Sequence, residues 1–467
     1  MSKVLTELIK EDQKTTELSV RNGLVFTEEG FREVTIKIID EKIVSLVESE
    51  AGPLLETSEN IIDASGCLVV PGFIDAHVHF NDPGRTDWEG IETGSRAAAM
   101  GGTTTIFDMP LNCSPSTINL QSLINKREYL TSLSHIDYAL WGGMTGTNLN
   151  NPQELAQMSA GVIGWKSFMS ESGIDDFQFL SPNDLKQAMQ AAKEHEKTLA
   201  LHAEWERDIA RLTAFNKQQQ WLNERSAYLA SRPISAEEKA VSYALELAAK
   251  YGTALHFVHI SSPKVVGLIE QAKKSGVNVT VETCPHYLIF DEDDFLREGA
   301  ILKCAPPLRP REEVEGLWDC LANGMIDTIG SDHSPCLYSM KATDSIWDAW
   351  GGIQGVQFTW LAMVDEALKR GVPLKQIFPL GTSNVADRFG IAGRKGRISP
   401  GLDADLVLIC LDETTVAKKD SFGFRNAYSP YEGRVFSTKV KKTMLRGKVI
   451  YDDQAGVGTK KLGVCLT

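Results

Sequence analysis

Short apolar runs alternate with helical segments through the middle of the chain, and this alternation limits the possible folds more than any other feature. Strands and helices that take turns in this way are typical of parallel sheets with helical connections. Eight such runs over about 300 residues predict an α/β fold of the (β/α)8 barrel type, with a doubly wound sheet as the competing arrangement. No GxGxxG motif follows a strand, so nothing favours a dinucleotide fold. The predicted strands are Val70–Ala76, Thr103–Asp108, Ile136–Trp141, Gly161–Phe168, Thr198–His202, Ala254–Ile260, Val277–Thr283 and Ile326–Asp332.

Both ends of the chain show a different pattern, in which apolar and polar residues alternate between turn residues. This period-2 pattern runs through residues 16–49 and returns in GRISPGLDADLVLICL and KVKKTMLRGKVIYDD. It is typical of short antiparallel strands, and exposed strands need partners. We therefore predict a small β-sandwich domain built from residues 1–70 and 385–467, and a barrel over residues 71–384. Between the barrel strands, SAEEKAVSYALELAAKYG predicts a helix with a capping box at Ser235 and Glu238 and a cap at Gly252.

Composition excludes several functional classes. The 467 residues carry a formal net charge of −14, which argues against nucleic-acid and anionic-membrane partners. The first twenty residues contain no apolar run typical of a signal peptide, and no uncharged apolar run approaches the ~18 residues of a membrane span.

The eight cysteines form no CxxC pair. We expect reduced thiols in a cytoplasmic protein, without a disulfide framework or a structural zinc site.

Histidines stand at the carboxyl ends of the predicted strands, where a barrel gathers its catalytic groups. His77 and His79 close the first strand. Because alternate residues of a strand face the same way, both imidazoles point at one target. The HVH motif alone is equally compatible with two hydrogen-bonded polar residues at a strand end. His202 ends the fifth strand and His259 lies near the end of the sixth, which favours a site for Zn, Fe, Mn or Co.

Two further candidates come from the fourth and eighth strands. Lys166, in GWKSFM, is either a surface lysine or a desolvated amine that takes up carbon dioxide to become a metal-bridging carbamate. Asp332, in IGSDHSP, is either a helix cap or a metal ligand that accepts a proton from metal-bound water. His286 either lines the site or orients a neighbour, and the structural role is favoured. The remaining histidines of interest, His135, His195 and His256, are expected to be structural or exposed.

In combination, the motifs HVH, WKSF, LHAE, HFVHISS, ETCPHYL, LKCAPPLR and SDHSP resemble the cyclic amidohydrolases of the amidohydrolase superfamily. This family includes dihydroorotases, hydantoinases and allantoinases, and the resemblance extends from PGFIDAHVHF to GLDADLVL. It implies a barrel with a small β domain and two divalent metals per subunit, zinc being the first expectation. The implied ligands are His77, His79, carboxylated Lys166 and Asp332 for one ion, and Lys166, His202 and His259 for the other.

Two positions distinguish the branches of this family. Dihydroorotases typically have an arginine two residues after the second histidine to bind a carboxylate, whereas this chain has Asn81. Hydantoinases typically have a tyrosine five residues after the lysine, and here that residue is Glu171. The loop NDPGRTDWEG and the segments KCAPPLR and GGIQG resemble the allantoinase branch. This implies hydrolysis of the hydantoin ring of allantoin to allantoate, with a hydantoinase as the alternative.

The resemblance also implies a mechanism and an assembly. A hydroxide bridging the two metals would attack the ring amide, with Asp332 as general base and then general acid. Loop position suggests substrate contacts from Asn81, Cys304, Ala305 and Gly352. The implied assembly is a homotetramer. Two remoter alternatives are a non-catalytic barrel relative, which would lack ligands, and a mononuclear deaminase, which would not need Lys166.

Overall fold

The structure is a computed structural model that describes residues 17–48, 60–219 and 223–467. Residues 1–16, which belong to the segment expected to carry no signal peptide, lie outside the described residues. Within the described ranges, no helix combines the length and apolar character needed to cross a membrane.

The strands and helices are numbered here in chain order. The strands are β1 (Glu17–Arg21), β2 (Leu24–Thr27), β3 (Gly30–Ile39), β4 (Lys42–Glu48), β5 (Ile61–Asp63), β6 (Cys67–Pro71), β7 (Phe73–Val78), β8 (Thr103–Asp108), β9 (Asp137–Gly143), β10 (Gly164–Phe168), β11 (Leu199–His202), β12 (Leu255–Phe257), β13 (Val279–Thr283), β14 (Thr328–Ile329), β15 (Leu406–Cys410), β16 (Thr415–Val416), β17 (Val435–Phe436), β18 (Lys439–Leu445), β19 (Lys448–Asp452) and β20 (Gly456–Val457). The α-helices are α1 (Ile91–Met100), α2 (Leu120–Leu130), α3 (Pro152–Ser159), α4 (Pro182–Glu194), α5 (Glu206–Lys217), α6 (Glu224–Ser231), α7 (Ile234–Tyr251), α8 (Pro263–Lys274), α9 (Pro285–Ile289), α10 (Glu292–Glu298), α11 (Arg311–Ala322), α12 (Thr359–Arg370), α13 (Leu374–Ile377) and α14 (Ser383–Arg388). Short 3-10 helices lie at Gly299–Leu302, Tyr338–Met340, Phe378–Gly381 and Lys419–Ser421.

Eight parallel strands, β7 to β14, form the barrel, and each pairs with its neighbour in chain order. A parallel bridge between Val78 and His333 joins the first strand to the segment after the last one. In the same place the His79 amide donates to the His333 carbonyl at 2.8 Å. These contacts bring the two ends of the sheet together, and the helices lie between successive strands. The predicted (β/α)8 barrel is therefore confirmed.

A second sheet combines strands from both ends of the chain, in the order β20-β19-β18-β15-β6-β2-β3-β1-β5 with β4 on β3. At its centre β6 pairs with β15 in antiparallel register, from Leu406 opposite Pro71 to Cys410 opposite Cys67. Cys67 and Cys410 form a disulfide with a Cα–Cα distance of 4.2 Å. The expectation that all cysteines are reduced is therefore wrong in this structure. Two cysteines 343 residues apart become direct neighbours only through strand pairing, which their spacing does not reveal.

The barrel strands occupy the predicted positions with shifted ends. At the first strand, Val70 belongs to β6 of the small sheet and the barrel strand begins at Phe73. Gly72 separates the two strands, and a Cβ atom there would lie 2.2 Å from Thr104 Oγ1. A residue with a side chain therefore cannot occupy this close approach without a shift of its neighbours.

Helix α7 shows a similar shift. It begins at Ile234 after an N-cap at Pro233 that makes no side-chain cap hydrogen bond. The predicted capping box is wrong, because Ser235 already lies within the first turn. The predicted C-terminal cap is confirmed, since Gly252 adopts the left-handed conformation with a φ of 69°.

A buried ion cluster joins the barrel to the small sheet. The Lys395 ammonium contacts Asp137 Oδ2 at 2.6 Å, Asp405 Oδ2 at 2.6 Å and Asp403 Oδ2 at 3.0 Å. Asp137 begins β9, whereas the other three residues lie in the connection between α14 and β15. Because a buried charge is tolerated only when it is paired, this cluster fixes how the small sheet sits on the barrel.

Candidate metal centre and active site

Six side chains meet inside the mouth of the barrel, at the carboxyl ends of its strands. They come from five of the eight strands or from the residues directly after them, so one rim collects groups that are far apart in sequence. His259 and Asp332 lie just past their strands with positive φ angles of 42° and 45°, a conformation that costs energy for residues other than glycine. The six are His77, His79, Lys166, His202, His259 and Asp332.

The first group combines two imidazoles and one carboxylate. Asp332 Oδ1 lies 3.2 Å from His77 Nε2 and 3.4 Å from His79 Nε2. One ligand atom from each of the three side chains lies within 4.8 Å of the others. This is the spacing at which nitrogen and oxygen ligands can bind one metal ion.

The second group is a pair of imidazoles that line the same cavity as the first group. His202 Nδ1 lies 3.0 Å from His259 Nε2. The His259 ring centroid is also 5.4 Å from that of His77. The two groups are therefore neighbours within one site.

Lys166 is fully buried on β10, and its Nζ atom has no hydrogen-bond partner. Burial lowers the pKa of the Lys166 amine to about 8, which increases the neutral fraction near pH 7. The amine lies 5.1 Å from the centroid of the Phe168 ring. A buried amine that lacks a hydrogen bond is unfavourable in its unmodified form. Carboxylation of this amine would supply the missing polar contacts.

A second set of side chains orients the imidazoles from outside. His77 Nδ1 lies 2.7 Å from Glu282 Oε1, and His202 Nε2 lies 2.9 Å from Glu204 Oε2. Burial opposes ionisation of Glu282, but the neighbouring His77 and His256 imidazoles lower the pKa of its carboxyl to about 2. One ring nitrogen of each imidazole is thus occupied, and the other faces the cluster. This is how ligand histidines are held in metal sites.

These observations test whether the residues fit a pair of metal ions, and they do. The donors are imidazole nitrogens and a carboxylate, and the unpartnered Lys166 amine is close enough to lower the pKa values of the imidazoles in both groups. Burial lowers the pKa of the His202 and His259 imidazoles, so both remain neutral and available as ligands at pH 7. Such a set suits zinc and the neighbouring divalent transition metals.

A small cavity opens beside the cluster and is lined by five of its six side chains, Lys166 being the exception. The structure brings Cys304, Ala305 and Gly352 to its wall, and it does not bring Asn81 there. Asn81 is buried, adopts a φ of 68° and donates from Nδ2 to the Pro335 carbonyl at 3.2 Å. The chain turns at this residue, so its amide supports the neighbouring loop.

Sequence patterns missed several wall residues because these lie in loops without a spacing rule. Asn112 follows β8 and places its Nδ2 atom 3.2 Å from His79 Nδ1 and 3.4 Å from Ser334 Oγ. His286 does not line the cavity, and burial lowers the pKa of its imidazole to about 4. Its buried position agrees with the favoured structural role. The other wall residues are Leu111, Phe168, Glu171, Ser172, Trp350 and Gly351.

Comparison with known families identifies the class of protein. Residues 68–450 match the amidohydrolase family, and the chain belongs to it. Two curated relatives are more specific. A protein of Bacillus velezensis named Allantoinase is 44% identical over 91% of each chain. Another of the same name, from Deinococcus radiodurans, is 42% identical over 95% of this chain and 97% of its own.

Solved structures show the same architecture. The L-hydantoinase (dihydropyrimidinase) of Arthrobacter aurescens aligns with a TM-score of 0.91 at 31% identity, covering 96% of this chain and 99% of its own. The dihydropyrimidinase of Brevibacillus agri aligns with a TM-score of 0.88 at 27% identity, covering 97% of this chain and 98% of its own. These matches support a cyclic amide hydrolase.

Proposed function

We propose that this chain is an allantoinase, which hydrolyses the hydantoin ring amide of allantoin to give allantoate. The observation that carries the proposal is that two neighbouring imidazole groups share one site with the buried, unpartnered amine of Lys166, which affects the pKa of imidazoles in both groups. The similarity to relatives named Allantoinase over most of the chain selects this ring among cyclic amides.

We assign His77, His79, Lys166 and Asp332 to one divalent ion, and Lys166, His202 and His259 to the other. Lys166 would act as a carbamate, formed when its neutral amine adds to the carbon of CO₂ and loses one proton. When bound, the metals would polarise the amide carbonyl and lower the pKa of water to about 7. Zinc is the first expectation, and Fe, Mn or Co also suit these ligands.

In this proposal Asp332 moves the proton. Its carboxylate faces the cluster, and nearby His77 and His79 outweigh burial and hold the pKa of Asp332 well below its usual range. The group is therefore ionised at neutral pH and can accept a proton from the attacking water. It would return that proton to the ring nitrogen as the amide bond breaks.

The cavity also supports a neutral substrate. Among the described residues that line it there is no lysine or arginine. A ring that carries a carboxylate, such as dihydroorotate, would find no lysine or arginine among these wall residues to pair with it. Allantoin is uncharged and rich in amide donors and acceptors, which suits the backbone and short polar groups of Cys304, Ala305 and Ser334 on the cavity wall.

The alternative function is that of a hydantoinase, which the likeness to the Arthrobacter aurescens structure favours. A substrate panel on metal-reconstituted protein separates the two. We expect kcat/KM for allantoin to exceed that for hydantoin, and dihydroorotate to be a poor substrate. A preference for hydantoin would overturn the proposal.

Metal analysis of the same sample tests the remaining alternative, because a non-catalytic relative would bind no metal. The homotetramer, the cytoplasmic location, the domain boundaries and zinc as native metal stay predictions.

A further inference from the structure

Lys341 is a buried lysine outside the proposed metal centre. It follows the 3-10 helix Tyr338–Met340 and is only 4% exposed. Its Nζ atom donates to the carbonyls of Ala300 at 2.9 Å, Trp350 at 2.8 Å and Gly352 at 2.6 Å. An ammonium has three donors, so all of them are used. Within the described part of the chain Lys341 has no carboxylate partner.

Two of the three carbonyls that Lys341 holds, those of Trp350 and Gly352, belong to one wall of the proposed active site. Trp350, Gly351 and Gly352 line the cavity, whereas Lys341 does not. The ammonium therefore binds this wall from behind, and two wall carbonyls are turned away from the substrate space. A cation buried against carbonyls alone is costly in free energy, which makes a purely space-filling role a poor explanation.

The same wall is fixed at its front by close packing. Gly352 has a φ of 153°, and a Cβ atom at this position would lie 2.4 Å from the Ser334 carbonyl oxygen. Its amide donates to the Lys303 carbonyl at 2.8 Å. The Lys303 ammonium in turn donates to the Ala349 carbonyl at 2.6 Å. Close packing and the Gly352 amide thus hold the wall from the front, and Lys341 adds two hydrogen bonds from behind, to the Trp350 and Gly352 carbonyls.

We propose that Lys341 is a positioning residue, which holds the segment Trp350–Gly352 in the conformation that receives the cyclic substrate. The proposal rests on the proposed function for the identity of that substrate. The position of the wall itself does not depend on which cyclic amide is hydrolysed.

Two measurements test this role in Lys341→Met, which keeps the length of the side chain and removes its donors. Hydrogen exchange of the peptide covering residues 349–353 needs no substrate, and we expect it to become faster while the barrel strands stay protected. With the best substrate of the panel, we expect kcat/KM to fall about 10- to 100-fold through a higher KM, because misplaced binding groups have effects of this size. Metal content should be unchanged.

Lys217→Met is the matched control. Lys217 is exposed and packs on the Trp347 ring of the same loop through its ammonium, so its loss should alter neither measurement. Unchanged exchange and unchanged KM in Lys341→Met would overturn the proposal, even if its melting temperature fell. If Lys341→Met does not fold, Lys341→Gln is judged by the same two measurements. Absence of allantoin turnover in the unmodified enzyme would refute the proposed function, and the exchange result would still decide the role of Lys341.

Discussion

Glu282 lies directly behind His77, with its Oε1 atom 2.7 Å from the imidazole Nδ1. The His259 amide also donates to this Oε1 atom at 3.4 Å, and His256 Nε2 lies 3.5 Å from Oε2. One carboxylate therefore contacts a residue from each of the two histidine groups. Glu282 is fully buried on β13, so it can orient the site without touching a substrate.

We expect Glu282→Gln to weaken metal binding by about 10- to 100-fold, the usual effect of removing a carboxylate behind a ligand histidine. The amide is neutral and leaves His77 a less basic ligand. Metal retained during dialysis against a chelator measures the effect. Glu238→Gln, a partly exposed carboxylate that pairs with Lys264, is the control. Equal retention in both variants would contradict the role of Glu282.

Asp332→Asn should lower kcat by at least about 100-fold, because proton transfer by a positioned group contributes 10²–10⁴. The amide keeps the shape and one oxygen but cannot accept the proton. We expect metal content to stay close to that of the unmodified enzyme. Steady-state kinetics and metal analysis on one preparation check both statements, with the exposed Asp344→Asn as control. Near-native turnover in Asp332→Asn would contradict the proton-transfer role of Asp332.

Lys395→Met should destabilise the fold by about 3–5 kcal/mol, since the buried Asp405 carboxylate loses the ammonium it contacts. Asp137 and Asp403 each lose one of their cationic partners. Urea unfolding measures this change. The control is Lys42→Met, because the Lys42 ammonium also pairs with Asp403 but its side chain is 46% exposed. There we expect about 0–1 kcal/mol. Similar losses of unfolding free energy in the two variants would show that burial of Lys395 does not increase its contribution to stability.

Glu237 provides a test of pH dependence. Its buried carboxylate accepts hydrogen bonds from the Ser261 amide at 3.0 Å and hydroxyl at 2.8 Å. Burial raises the pKa of Glu237 from 4.5 to about 7. The fold therefore prefers the protonated acid, and this contribution to stability is complete below pH 4.5 and disappears as pH rises through about 7.

Glu237→Gln resembles the protonated acid at every pH. We expect the melting temperature of the variant, relative to the unmodified protein, to rise between pH 5 and pH 7 and to level off above that. Thermal melts at pH 5, 6, 7 and 8 measure the difference. A difference that does not change with pH would mean that Glu237 titrates at its ordinary pKa in the fold.

The sequence predicted the fold because strand and helix signals alternate locally. The prediction was inaccurate where the position of a residue depends on pairing with a distant segment of the chain. Val70 belongs to the small sheet because β15 pairs with β6, and no local pattern around Val70 distinguishes this from a barrel strand. The disulfide between Cys67 and Cys410 depends on the same pairing.

The metal-centre candidates were predictable because strand ends of a barrel share one rim. The side chains that contact these candidates and orient them were not predictable. In the sequence, no pattern distinguishes Glu282 and Glu204 from other acidic residues in strands and loops. His256 was expected to be structural or exposed. Asn112 and Lys341 lie in or beside loops, where only the folded chain shows which neighbours they meet. Spacing therefore predicts candidate ligands better than the residues that orient them.

The pairing of β6 with β15 has a consequence for how the protein is made. Each barrel strand pairs with its neighbour in sequence, so the barrel can assemble progressively as the chain leaves the ribosome. The edge of β6 that receives β15 has no partner until β15 has been synthesised, and the paired residues Cys67 and Cys410 are 343 residues apart. During translation this apolar strand is open to chaperones and to wrong partners. Strands made late in translation therefore complete a sheet that early strands begin.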